Sequence, residues 1–232
     1  MKLKNKIALI TGGSTGIGKA IAEALIQKEA KIIILGLNKP DYKCDFYKVD
    51  VSNEEEIKKT LSKTKSIDIL INNAGIFAGD IIEKTTTEEL NQLVDINIKG
   101  VFWMCKYAIP KINKGGCIIN IGSIRGIKPS PGTSVYSFTK ATVINFTKAL
   151  ALELAEKNIR ANCINPGVIH TPIWEKTATS KEEGLQDMKD AAAKYPLKRA
   201  GKPEEIAHAA IFLIENEFIT GASIPVDGGA TI

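Results

Sequence analysis

KIALITGGSTGIGKAIAEALIQK, Lys6–Lys28, decides the fold. A short apolar run, KIALI, reads as a buried strand, and IGKAIAEALIQK has the period of a helix. Between them lies TGGSTGIG, Thr11–Gly18, a turn in which Gly12, Gly16 and Gly18 recur as G-x-x-x-G-x-G. A strand entering a helix through glycines makes an anion cradle. The missing side chains let the backbone approach a pyrophosphate, and the first N–H groups of the helix point at it. The spacing differs from the commoner G-x-G-x-x-G, so the turn alone leaves a merely structural role open.

Working outward, similar β-branched runs recur as KIIIL, FYKVD, IDILIN, GCIINI, IRANCI and ASIPV, with helix-period stretches between most of them. Near-continuous apolar strands alternating with helices predict an α/β fold, a doubly wound parallel sheet of Rossmann type covered on both faces. Ligands of such folds bind at the carboxyl ends of the strands. The chain has 232 residues, 44% of them hydrophobic, enough for one sizeable core, and residues 1–232 read as a single domain. The polar stretch at about 171–203, with the helical patch EEGLQDMKDAAAK, reads as a short substrate lid.

Composition narrows the function classes. The net charge is +5, but the lysines are dispersed and no basic run is interleaved with aromatics, so no nucleic-acid partner is expected. The start, MKLKNKIALITGG, resembles neither a signal peptide nor a membrane span, which predicts a cytoplasmic protein without a membrane partner. Cys44, Cys105, Cys117 and Cys163 have no metal-type spacing and sit in apolar segments, and only His170 and His208 could join them. No metal site is expected, and the cysteines read as free buried thiols.

YSFTK, Tyr136–Lys140, places a phenol and an ammonium four residues apart on one helix face. A free tyrosine is a poor base at neutral pH. A cation about 5 Å away, at an effective dielectric of about 20, would favour the phenolate by roughly 3 kcal/mol, about two pKa units. The pattern is common in helices, and YAIPK, Tyr107–Lys111, repeats it as an internal control. Ser123 stands thirteen residues before Tyr136, whereas Val94 holds the equivalent place before Tyr107.

With the glycine turn, NNAG at 72–75, Asn97 in VDINIKG, Ser123 in INIGSIRG, YSFTK, NPGVIHTP at 165–172 and PVDGG at 225–229 in this order, the chain resembles the short-chain dehydrogenase/reductase family over nearly its whole length. The resemblance implies an oxidoreductase that moves a hydride between a nicotinamide cofactor and a carbonyl or secondary alcohol. Its catalytic tetrad would be Asn97, Ser123, Tyr136 and Lys140. Ser123 would bind the substrate oxygen, Tyr136 would give or take its proton, Lys140 would lower the tyrosine pKa and hold the nicotinamide ribose, and Asn97 would keep a kinked helix and a water in place.

Cofactor contacts are implied at Gly12, Ser14, Thr15, Gly16, Ile17, Gly18, Gly36, Leu37, Asp50, Val51, Asn73, Ala74, Gly75, Tyr136, Lys140, Pro166, Gly167, Ile169 and Thr171. Asn72 and Asn73 read first as stabilisers of the central strand. At the end of the second strand, Gly36 and Leu37 stand where the family shows an acid for a ribose 2′-OH or an arginine for a 2′-phosphate. With Thr15 in place of a base, NAD is weakly preferred over NADP, although Lys39 could reach a phosphate. Only Gly36–Asp45 separates KIIIL from FYKVD, so the helix expected in this crossover is lost or cut to a turn.

The family also implies a homotetramer built on helices at about 87–108 and 135–156. Its leading substrates are 3-oxoacyl groups for reduction and sugars or polyols for oxidation. The alternative, a cofactor-sensing protein without turnover, commonly lacks the tetrad that is complete here.

Overall fold

The computed structural model describes residues 1–176 and 178–232. In chain order the elements are β1 (Ile7–Thr11), α1 (Gly16–Gln27), β2 (Lys31–Gly36), β3 (Asp45–Lys48), α2 (Glu54–Lys63), β4 (Ile67–Asn72), α3 (Thr87–Val94), α4 (Gly100–Ala108), β5 (Ile112–Ile121), α5 (Ser134–Leu154), β6 (Arg160–Pro166), α6 (Ile173–Lys176), α7 (Lys181–Ala193), α8 (Pro203–Glu215) and β7 (Ser223–Val226). The strands form one sheet in the order β3-β2-β1-β4-β5-β6-β7, and every neighbouring pair is parallel. This is the Rossmann-type sheet that the alternation of apolar runs and helix periods predicts.

Alternate residues of each strand feed two cores on opposite faces. Ile10, Ile34, Ile69 and Ile71 pack with Ile21 and Leu25 of α1 and Ile206 and Leu213 of α8. Leu9, Leu35, Leu70 and Ile118 pack with Ile57 of α2, Met104 of α4 and Val143 and Leu150 of α5. Each fully buried Leu or Ile contributes about 1.5–3 kcal/mol relative to exposure, so these two cores hold the sheet between its helices. Local capping fixes where helices begin. Asn53 accepts from the N–H groups of Glu55 and Glu56 at the start of α2, and Thr86 with Glu89 forms a reciprocal capping box at α3.

Residues 37–44 carry no helix, as the shortness of the β2–β3 connection predicts. This connection folds back across the first βα unit. The Tyr42 hydroxyl donates to the Gly13 carbonyl at 2.6 Å, and the Lys19 ammonium of α1 pairs with Asp41 at 2.7 Å. The helix expected at about 87–108 is divided instead. Asp95–Lys99 forms a wider π-type turn between α3 and α4, and it carries Asn97.

Between β6 and α8, α6 and α7 pack over the sheet's carboxyl end through a third cluster of Ile124, Val168, Met188, Ala192 and Tyr195, flanked by Trp174 and Leu185. No helix among the described residues is long and apolar enough to cross a membrane.

Candidate active site

The glycine turn leaves β1 in a conformation that side chains resist. Gly12 and Gly16 have φ of +66° and +55°, in the left-handed region where glycine is at home. A Cβ on Gly18 would lie 2.4 Å from the Gly12 carbonyl oxygen, so the turn can close only with glycine there. Thr15, the residue before α1, makes no side-chain cap bond, leaving the first-turn N–H groups for a ligand. These features fit the diphosphate of a dinucleotide. Ser14, Thr15 and Ile17 lie on this turn, and Thr171 packs against it at Gly16. The Thr171 methyl lies 3.2 Å from where a Gly16 Cβ would stand.

Asn73 braces the turn. Its amide donates to the carbonyls of Thr11 and Gly12 at 3.0 and 2.9 Å, and the Thr11 hydroxyl accepts from the N–H groups of Asn73 and Ala74. The strand-stabilising reading of Asn73 is therefore the one its side chain supports. Asn72 likewise donates to Asn120 of the neighbouring strand at 2.8 Å.

At the ends of β2 and β3, Gly36 sits beside the Gly12 backbone, Leu37 is 59% exposed, and Asp50 holds the Ser52 hydroxyl at 2.7 Å. Val51 is buried against Gly100. Pro166 ends β6, Gly167 donates to Val226 at 3.0 Å, and the Ile169 carbonyl accepts from the Trp174 indole at 3.0 Å.

The four predicted tetrad residues come from a turn between helices, a strand end and one long helix. Ser123 follows β5 directly, and its hydroxyl accepts from the Arg125 N–H at 3.1 Å. The turn Ile124–Gly126 then runs against α5 so tightly that a Cβ on Gly126 would lie 2.7 Å from the Lys140 carbonyl carbon. This contact brings Ser123 to Tyr136. The Lys140 ammonium is buried, donates to the Ile121 carbonyl at 3.1 Å, and lies 5.7 Å from the centre of the Tyr136 ring.

Asn97, 1% exposed, ties the site together. Its carboxamide oxygen accepts from Ile76 N–H at 2.9 Å while its nitrogen donates to the Ile76 carbonyl at 2.9 Å and Thr139 Oγ1 at 3.3 Å. The Thr139 hydroxyl in turn donates to the Tyr136 carbonyl at 2.8 Å. Gly75 lies between these groups, with Asn97 Oδ1 and Lys140 Nζ 3.1 and 3.4 Å from where its Cβ would be.

Burial dominates the electrostatics. It raises the Tyr136 pKa above the usual phenol value, and a hydrogen bond with Ser123 and the charge of Arg125 pull it partly back. It lowers Lys140 from 10.5 to about 8. Sequence reasoning gave Lys140 the task of lowering the phenol. The Lys140 ammonium is itself desolvated and donates to the Ile121 carbonyl. A protonated phenol beside a serine hydroxyl is poised to donate to a substrate oxygen.

The control pair has a different fate. Tyr107 donates to Glu54 at 2.6 Å and Lys111 to the Thr64 carbonyl at 2.9 Å, so both serve packing on the far side of α4.

Besides Arg125, sequence reasoning missed three neighbours of the site. Phe77 packs edge-on against the Tyr136 ring, with centroids 4.9 Å apart. Thr139 joins Asn97 to α5, and Tyr42 buttresses the glycine turn. Phe77 lies next to NNAG and Thr139 within YSFTK, so proximity to a motif was the available signal. Tyr42 had none.

A glycine cradle at the end of the first strand, together with a phenol beside a serine hydroxyl and a buried lysine, fits a nicotinamide-dependent oxidoreductase. Residues 12–231 match the family model described as enoyl-(acyl carrier protein) reductase. The chain is 36% identical over 252 residues to the 3-oxoacyl-[acyl-carrier-protein] reductase FabG of Thermotoga maritima, covering 100% of both chains.

Among solved structures, it superposes on the ligand-free aldohexose dehydrogenase of Thermoplasma acidophilum with a TM-score of 0.91 at 34% identity, over 98% of this chain and 94% of that one. It also superposes on a short chain dehydrogenase from Burkholderia cenocepacia in complex with NADP, with a TM-score of 0.89 at 26% identity and 100% of each chain covered. The chain belongs to the short-chain dehydrogenase/reductase family, and it is an oxidoreductase acting between a nicotinamide cofactor and a carbonyl or secondary alcohol.

Proposed function

We propose that reduction and oxidation run through Tyr136 as the proton donor and acceptor, with Ser123, Lys140 and Asn97 in supporting roles. When bound, the nicotinamide supplies or accepts the hydride at the substrate carbon. Tyr136 gives its phenolic proton to the carbonyl oxygen in reduction and takes the alcohol proton in oxidation. Ser123 donates to the same oxygen and fixes its position. Lys140 holds the ribose hydroxyls from its buried place beside Tyr136, and Asn97 keeps the 75–77 segment and α5 in register. The observation that carries this reading is the convergence of Ser123, Tyr136 and buried Lys140 beside the cradle.

The remaining expected cofactor contacts, from Gly36, Leu37, Asp50 and Val51 on the adenosine side to Pro166, Gly167, Ile169 and Thr171 on the nicotinamide side, line the same cleft in this reading. The segment 171–203 acts as the substrate lid.

We infer that NADP(H) is accepted, contrary to the weak preference for NAD that the sequence suggested. The support is that a solved relative holds NADP and that no acid at Gly36 or Leu37 would repel a 2′-phosphate. The family's homotetramer is proposed on the apolar faces of α4 and α5, where Phe102 and Phe138 are 48% and 54% exposed. Light scattering at micromolar concentration tests it, and a monomer would refute it. Four free thiols accord with a reducing, cytoplasmic setting.

Tyr136→Phe tests the central assignment. It should cut kcat by about 10²–10⁴, the usual worth of general acid catalysis, while cofactor affinity stays within a few-fold. Tyr107→Phe should leave turnover unaffected. Turnover of Tyr136→Phe above about a tenth of the parent, on that scale, would overturn the assignment.

A further inference from the structure

We propose that the substrate of this site carries a carboxylate close to the reacting carbon, and that Arg125 is the residue that binds it. The proposal rests on the oxidoreductase reading above and narrows its substrate to oxo acids and hydroxy acids. Arg125 is two residues from Ser123, in the one-turn Ile124–Gly126, and its backbone N–H already donates to the Ser123 hydroxyl at 3.1 Å. The turn is held rigidly because Ile124 is buried in the cluster that joins it to Met188, Ala192 and Tyr195 of the lid segment. Arg125 therefore stands between the group that grips the substrate oxygen and the segment that covers it.

The guanidinium is unusually free for such a place. Among the described residues no carboxylate pairs with it, and its one side-chain hydrogen bond is a long one, from Nη1 to the Lys128 carbonyl at 3.4 Å. A guanidinium has five donors in a planar fork that matches a carboxylate, and it cannot shed its charge. The neighbouring cation, Lys128, is by contrast occupied with the carbonyl oxygens of Ala230 and Ile232 at 3.2 and 3.1 Å. Burial raises the phenols of Tyr136 and Tyr195, and the charge of Arg125 opposes that rise in both.

A half-buried cation with unused donors, carried on the turn that starts at Ser123, stabilises an anion on the substrate and disfavours a cation there. It does little for an uncharged thioester or aldohexose. The chemistry stays balanced as described above: the carbonyl gains a hydride from the reduced nicotinamide and a proton from Tyr136, the cofactor is oxidised, and the carboxylate takes no part in the bond changes.

The test compares acids with their methyl esters. A panel of short 2-oxo and 3-oxo acids and the matching esters is reduced by the parent enzyme, Arg125→Gln and Arg125→Lys, and kcat/KM is measured for each. The parent should prefer the acid, and Arg125→Gln should lower the acid-to-ester ratio about ten- to a hundredfold, the worth of a charge-assisted hydrogen bond. Arg125→Lys should restore part of it. Calorimetric titration of the cofactor-loaded enzyme with malonate supplies a readout independent of turnover, and binding should be lost in Arg125→Gln.

A ratio unchanged between the parent and Arg125→Gln overturns the proposal while leaving the oxidoreductase reading intact. Malonate binding that depends on Arg125 supports the anion site even where none of the acids or esters of the panel is turned over. An enzyme that neither turns over the panel nor binds malonate overturns the proposal.

Discussion

Replacing Lys140 with methionine should make the protein more stable at pH 7 while removing its activity. The buried lysine titrates near 8, against an ordinary 10.5. At about 1.4 kcal/mol per pKa unit, holding that ammonium in the fold costs about 3 kcal/mol. Cys163 beside it is pushed up to about 11 by its own burial and so supplies no counter-charge at neutral pH. Methionine fills a similar volume without the charge but gives up the bond to the Ile121 carbonyl, a loss of about 1 kcal/mol.

The net gain, about 2 kcal/mol, would raise Tm by roughly 4–8 °C in a chain of this size. Below pH 8 the lysine is protonated in both folded and unfolded chains, and the folded chain bears the full cost. Between about 8 and 10.5 the unfolded chain keeps a proton that the folded chain has released, so this contribution to stability rises with pH and the advantage of methionine fades.

Three buried thiols act in the opposite sense. Cys105, Cys117 and Cys163 are raised to about 12, 11 and 11, and their contribution is present below pH 9 and lost above it. Urea unfolding of parent and Lys140→Met at pH 7, 8, 9 and 10, read as the difference between the two proteins, cancels that trend. A variant no more stable than the parent at pH 7, or a difference that does not shrink toward pH 10, would refute the reasoning.

Three other outcomes are expected. Gly18→Ala sets a methyl 2.4 Å from the Gly12 carbonyl; fluorescence titration should show cofactor binding weakened about five- to 150-fold, given a turn that must shift and overpacking costs of about 1–3 kcal/mol. Tyr42→Phe removes the bond to Gly13 and should cost about 1 kcal/mol by urea unfolding, with a several-fold rise in cofactor Kd; an unchanged Kd would show that the cradle needs no buttress. Asn97→Leu strips three hydrogen bonds from the Ile76 backbone and Thr139 and should cost about 2–4 kcal/mol, with activity falling even where the folded population is restored by low temperature.

Periodicity and glycine placement are local properties, which is why the sequence alone determined so much here. A strand, a turn rich in glycine and a helix are written within Lys6–Lys28, and the alternation of apolar runs along the rest of the chain specifies a parallel sheet covered on both sides. The thirteen-residue step from Ser123 to Tyr136 set the Tyr136–Lys140 pair apart from its look-alike at Tyr107, and the brevity of Gly36–Asp45 foretold the missing helix.

What only the tertiary structure decided depends on groups far apart in the chain. The pKa of Lys140 follows from burial beneath the Ile121 strand end and the Cys163 strand, and that of Tyr136 from desolvation opposed by Ser123 and Arg125. Asn97 reaches Ile76 and Thr139, and Tyr42 reaches Gly13, across separations of 21, 42 and 29 residues. Desolvation and cross-chain hydrogen bonds are set by the company each residue keeps after folding, and a linear pattern carries no record of that company.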